Sequence, residues 1–167
     1  MRAFQITETG NFMTKLLSGE TFDLFLLEEA SLHMQINWTI DGHINMDFYT
    51  REEQEKLGLS GHPLVEWSQV RPGFRSLILG KKAPTALSIV LHCPAGQMEK
   101  ALLEAGLKNL LEYVGAMVLT VRYDGAQVTL VTGIALKNFT MDKQADAVWD
   151  EMVVRFLSDQ GIAFTEL

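Results

Sequence analysis

The sequence predicts an α+β protein: two layers, an antiparallel sheet with helices on one face, and an internal duplication of a β-α-β-β-α unit. Three observations carry that prediction. Extended stretches alternate apolar and polar residues, which gives a sheet one buried face and one wet face. Helical stripes fall between those stretches and need a shared surface to cover. Landmarks also recur at a nearly constant offset. The Asp-Gly pairs at 41 and 124 lie 83 apart, Trp67 and Trp149 82, Gly80 and Gly161 81, and Met13 and Met98 85, in a chain of 167. A fixed period is the mark of a repeat. The expected organisation is one compact domain over 1–167, made of fused repeats 1–83 and 84–167, with "TREEQEKLGLSGHPLVE" inserted in the first.

In chain order, Thr9 to Ser18 predicts a helix that buries Phe12, Met13, Leu16 and Leu17 and stops at Gly19. From Ser31 to Ile40 the alternation is unbroken and predicts one strand. A three-residue loop, Asp41-Gly42-His43, would then pair Ile40 with Ile44, Trp38 with Met46 and Ile36 with Phe48, keeping all apolar groups on one face. The next helix is expected over about Pro72 to Leu79, with Pro72 in its first turn and Gly80 ending it. "TALSIVLHC" is a strand with Leu87, Ile89, Leu91 and Cys93 inward. "AGQMEKALLEAGLKNLLEYVG" is helical, and Gly106 is the place for a break. The second hairpin fits a two-residue turn at Asp124-Gly125, pairing Val121 with Val128 and Leu119 with Leu130. The clearest helix runs from Asp142 to Gln160, with Thr140 as N-cap and Gly161 after its end. A last strand buries Ile162 and Phe164.

Composition bounds the function. The apolar content of 47% suits a globular chain. No apolar run approaches the ~20 residues of a membrane helix, and no apolar signal core follows Met1, so a cytoplasmic location without membrane contact is expected. One cysteine, Cys93, excludes an internal disulfide and any multi-cysteine metal site. A net charge of −7 disfavours broad nucleic-acid backbone binding.

No phosphate-cradling loop, nucleophile elbow or metalloprotease helix is present, so no catalytic residue, metal ligand or cofactor is assigned. His33, His43, His62 and His92 have no ligand spacing, although His33 and His92 share the wet parity and could meet on neighbouring strands. Asp41 and His43 flank Gly42 and could act as an acid–base pair. The candidate binding surface is the wet sheet face, with His33, Gln35, Asn37, Thr39, Asn45, Arg122 and Gln127. Arg71, Arg75, Lys81 and Lys82 are the densest positive cluster and a candidate anion site. A protein partner or self-association is the expected use of the open face. The preferred function is a non-enzymatic binding or scaffold protein, ahead of a nucleic-acid accessory protein and a small-molecule enzyme with a pocket between repeats.

Two resemblances bear on this. "CPAGQMEKALLEAG", "VLTVRYDGAQVTLVTG" and "TIDGHI" resemble passages of the sliding-clamp fold, and the doubled order is similar to the TATA-binding-protein saddle. Both imply internal duplication. Clamps line their hole with basic helix faces, whereas the last helix here carries Asp142, Asp146 and Asp150, expected on its outer face. "MRAFQIT", "FLLEEAS", "TIDGHIN" and "AVWDEMVVRFL" together resemble a bacterial family of unassigned function, over nearly the whole chain.

Overall fold

The structure is a computed structural model that describes residues 1–59, 63–78 and 80–167. His62 and Leu79 lie outside the described residues. The order is β1 (Ala3–Ile6), α1 (Thr9–Leu17), β2 (Leu26–His33), β3 (Asn37–Asp41), α2 (Arg51–Leu57), β4 (Val65–Glu66), α3 (Trp67–Leu77), β5 (Ala86–His92), α4 (Ala95–Glu104), β6 (Val114–Tyr123), β7 (Val128–Leu136), α5 (Gln144–Asp159) and β8 (Phe164–Glu166). Short 3-10 turns cover Met46–Phe48 and Lys108–Glu112. The strands form one open antiparallel sheet in the order β3-β2-β5-β6-β7-β1-β8, with β4 also on β2.

Side-chain parity builds the two layers. Cross-strand partners stand on the same face. One row runs Ala30, Ile89, Val121, Leu130 and Phe4 across five strands, and every member is buried. These residues share a single core with Phe12 and Leu16 of α1, Trp67 and Phe74 of α3, Met98 and Leu102 of α4, and Trp149, Val153 and Leu157 of α5. The alternate residues form the opposite, open face. Helix α2 buries none of its residues and is held by a capping box of Thr50 and Glu53.

The first hairpin corrects the expected one. The alternation from Ser31 to Ile40 hides a chain reversal at Met34–Ile36, after which β3 returns along β2 with Leu32 opposite Trp38 and Ala30 opposite Ile40. Parity is blind to this reversal, because partners separated by an even number of residues keep the same face. The reversal also uses no Gly or Pro, the usual turn signals. Ile36 and Trp38, expected inside, are 56% and 41% exposed at the sheet edge.

Asp41-Gly42 therefore makes no hairpin. Gly42 N–H donates to the Glu28 carbonyl at 2.8 Å, and its own carbonyl accepts from Val65 N–H at 2.9 Å. It is the point where β4 takes over from β3 along the edge of β2. A Cβ there would sit 1.8 Å from the Leu27 carbonyl oxygen, so only glycine fits. Met46 and Phe48 then lie in a 3-10 turn, not a paired strand, and Phe48 is 79% exposed.

The second hairpin turns one residue later than expected. Asp124 N–H donates to the Gln127 carbonyl at 3.2 Å, which centres the turn on Gly125 and Ala126, with Gly125 at φ 95°. Val121 pairs with Leu130 and Leu119 with Thr132. The expected register is off by two residues, so the faces survive. Asp124 Oδ1 fixes the turn by accepting from Ala126 N–H at 2.9 Å and Gln127 N–H at 2.8 Å.

Helix α3 starts at Trp67, so Pro72 is interior, contrary to the expected first-turn position. Trp67 sets the start: its ring is buried and its Nε1–H donates to the Leu16 carbonyl at 3.0 Å. Pro72 faces solvent, where the Ser68 carbonyl that loses its helical donor can meet water. Gly106, at φ 74°, does end α4, and Gly161, at φ 64°, follows α5. Thr140 is not the α5 N-cap; its hydroxyl accepts from Asp142 N–H at 3.1 Å, one turn ahead of the helix.

The second half runs β5-α4-β6-β7-α5, whereas the first runs β1-α1-β2-β3-α2-β4-α3, the same order only when α2 and β4 are set aside, so the duplication is not confirmed. The landmarks behind the offsets are not equivalent. Gly125 turns the chain, whereas Gly42 lies between paired strands. Trp67 opens α3 and bonds α1, whereas Trp149 sits inside α5 and donates to the Val118 carbonyl of β6 at 2.8 Å.

Candidate binding face

The open face carries a polar row that crosses seven strands: Thr39, Ser31, Ser88, Arg122, Thr129, Gln5 and Thr165 are successive cross-strand partners. Period-two patterning puts each there, opposite the buried rows. Arg122 is the fourth of the seven. Among the described residues its guanidinium forms no ion pair and no hydrogen bond, so its donors are free.

A hollow of about 430 Å³ lies over this part of the row, lined by Ser31, His33, Ser88, Arg122, Gln127 and Thr129, with Asp124 at its rim. The Gln127 and Ala126 N–H groups hold the Asp124 carboxyl below its ordinary range, so it stays ionised and occupied by the turn. The other polar groups are hydrogen-bond donors or hydroxyls, and Ala86, Leu87, Tyr123 and Val131 complete the lining with apolar surface.

The structure brings His33, Arg122 and Gln127 of the expected residues into this hollow. Asn37 pairs with His33, and Thr39 extends the row on the edge strand. Gln35 lies in the reversal between them. Asn45 is elsewhere: its Oδ1 accepts from Asp47 N–H at 3.2 Å and caps the 3-10 turn. Sequence reasoning missed Asp124 at the rim of the hollow, because its turn chemistry accounted for it.

The basic cluster is divided. Asp23 grips Arg71 through both oxygens, at 2.7 and 3.0 Å, and holds its guanidinium above the ordinary pKa. Arg75 is exposed one turn further along α3. Lys81 and Lys82 line a separate hollow of about 320 Å³, with Met13, Pro84 and Tyr123, that neither arginine reaches.

The histidines also separate. β2 and β5 are neighbours, but His33 lies opposite Ala86 and His92 opposite Leu26, at the two ends of the pair. That is about 20 Å at the strand rise. His92 Nε2 meets Glu28 Oε2 at 2.5 Å, and His43 Nδ1 meets Asp41 Oδ1 at 2.6 Å. Among the described residues, no three His, Cys, Asp or Glu side chains group to hold a metal ion.

Asp150 is a further correction. It is 5% exposed and faces the sheet, where its Oδ1 accepts the Thr132 hydroxyl and its Oδ2 lies 3.8 Å from Arg2 Nε. It therefore adds nothing to the outer acidic face of α5. The reason is its place next to Trp149, at the edge of the buried stripe.

Cys93 follows β5 and is buried, which pushes its thiol up to about 12. Iodoacetamide at pH 8 is expected to label the native thiol about 100-fold or more slowly than the unfolded one. The native thiol keeps its proton where the unfolded one, at about 8.5, loses it, so stability present below that pH declines as pH rises from there towards 12. Labelling kinetics with and without denaturant, and unfolding midpoints from pH 7 to 10, check both.

Fold and face together define an α+β protein built on an open antiparallel sheet, with one face sealed by helices and the other polar and accessible. The chain belongs to the family of unknown function DUF5721, whose model matches residues 15–165. No curated protein and no solved structure matches the chain, so the likeness to sliding clamps and the TATA-binding saddle gains no support. Among the described residues, no helix is long and apolar enough to cross a membrane.

Proposed function

We propose that this is a non-enzymatic binding protein that holds an anionic group of a protein partner on its open sheet face, at Arg122. One observation carries the reading: a guanidinium with no partner among the described residues stands in the middle of a hydroxyl-rich row, inside a hollow of about 430 Å³. A guanidinium offers a planar fork of donors that matches a carboxylate, and Ser31, Ser88 and Thr129 add hydroxyl donors beside it. The overall charge of −7 argues for a local acidic motif as ligand, not a polyanion such as nucleic acid. The face belongs, in this reading, to a cytoplasmic protein in which 1–83 and 84–167 descend from one duplicated unit; the β-α-β-β-α order that the halves share once α2 and β4 are set aside supports that descent.

The test is a titration with succinate, followed by amide NMR. Saturable shifts are expected at Ser88, Arg122 and Thr129. Arg122→Gln should weaken binding by roughly 10- to 100-fold, the worth of a charge-assisted hydrogen bond. Shifts confined to other surfaces, or an Arg122→Gln protein that binds as tightly, would reject the reading.

A further inference from the structure

A second cavity, of about 680 Å³, lies on the other side of the β2 edge, between the 3-10 turn and α2 on one wall and β4 with the start of α3 on the other. Leu26, Ile44, Phe48, Leu57, Leu64 and Val65 supply an apolar part of its wall, and His43, Asn45, Tyr49, Glu66 and Gln69 a polar part of similar extent. That size and lining suit a small molecule. The sheet-face reading does not use it.

His43 stands in its wall, on a backbone that cannot shift easily. Gly42 before it is wedged against the Leu27 carbonyl and bonded on both sides, and Ile44 N–H after it donates to the Pro63 carbonyl at 2.8 Å. Asp41 Oδ1 accepts from His43 N–H at 2.9 Å and lies 2.6 Å from ring Nδ1. Those two bonds hold the Asp41 carboxyl below its ordinary range, so it remains an acceptor. A carboxylate at Nδ1 fixes the proton there and turns Nε2 into a lone-pair acceptor. Among the described residues, Nε2 has no protein partner.

The charges around the cavity select the ligand. Glu66 lines it, Asp41 stands behind the imidazole, and among the described residues no Lys or Arg lines it. An anion would be repelled. A neutral, largely apolar molecule with one hydroxyl would bury its body against the walls and donate to Nε2.

We infer that this cavity is a binding site for a hydroxyl-bearing apolar small molecule of the phenol class, whose hydroxyl donates to Nε2 of His43. Asp41 acts as a positioning residue that sets the tautomer. The test compares phenol with toluene, which shares its shape but has no donor, on full-length protein labelled with 15N at histidine. Phenol is expected to bind saturably, to move the His43 Nε2 resonance, and to bind about fivefold or more tightly than toluene, the net worth of one hydrogen bond. His43 is exposed, so His43→Phe should fold, keep toluene binding and lose the preference for phenol. Failure of both probes to saturate, equal affinity for the two in the unaltered protein, or a preference that survives His43→Phe would each overturn the inference. None of these outcomes touches Arg122, which lies on the other cavity.

Discussion

Gly42→Ala is expected to be among the most damaging single-methyl changes available to this chain, with a loss of about 3 kcal/mol or more of folding stability. The new Cβ would meet the Leu27 carbonyl oxygen at 1.8 Å and its carbon at 2.6 Å. Both are backbone atoms of a central strand, with no rotamer to give way. Relief requires moving β3 away from β2, which breaks the bond to Glu28, or moving residue 42 off β4, which breaks the bond from Val65. A buried N–H or carbonyl left alone costs about 1–3 kcal/mol in addition to strain. Gly73→Ala is the control. It lies inside α3 with nothing within 4 Å of the new Cβ, and should gain up to about 1 kcal/mol from helix propensity. Denaturant midpoints of the two variants decide the matter. A Gly42→Ala protein as stable as the parent would show that the β2–β3–β4 junction is not packed as described.

The same glycine shows where sequence reading stops. Asp-Gly between alternating stretches has the composition of a tight turn, and at Gly125 it is part of one. At Gly42 the identical pair serves close approach of two backbones, a reason that lies in Leu27, fifteen residues earlier and across the sheet. Parity recovers the buried faces of β5, β6 and β7 and puts Arg122 on the open face, because alternation depends only on local geometry. Parity cannot locate the reversal at Met34–Ile36, since an even register shift leaves every face unchanged. Long-range polar pairs are equally hidden. Arg71 and Asp23 are 48 residues apart, and nothing in either neighbourhood announces the other. The Asp41–His43 pair is visible as a spacing, but its setting in a cavity depends on α2 and β4, which in sequence look like an insertion. Asp150 reads as solvated because helical carboxylates usually are; its partner Thr132 lies on β7, at a position that alternation marks as buried.

Thr132→Val should cost roughly 2–4 kcal/mol, far more than the loss of one hydroxyl from an exposed strand. Thr132 is 1% exposed and Asp150 5%. The hydroxyl donates to Asp150 Oδ1 and accepts from Arg2 N–H at 2.8 Å, so it joins α5, β7 and the residue just before β1 at one atom. Valine fills the same volume and removes both bonds. Among the described residues the buried carboxylate then keeps Met1 N at 3.3 Å and Arg2 Nε at 3.8 Å, both at Oδ2. The cost of a buried ionised group deprived of a donor dominates the change, not the bond itself. Two further variants separate this account from simple packing. Thr132→Ser retains the hydroxyl and loses only a methyl, so it should cost about 1 kcal/mol. In the Asp150→Asn background, with no charge left to strand, Thr132→Val should cost less than it does alone, and thermal unfolding of the single and double variants measures that coupling. If Thr132→Val were equally costly in the parent and in the Asp150→Asn background, the stranded carboxylate would not be the source of the cost, and lost packing with the unpaired Arg2 N–H would have to supply it.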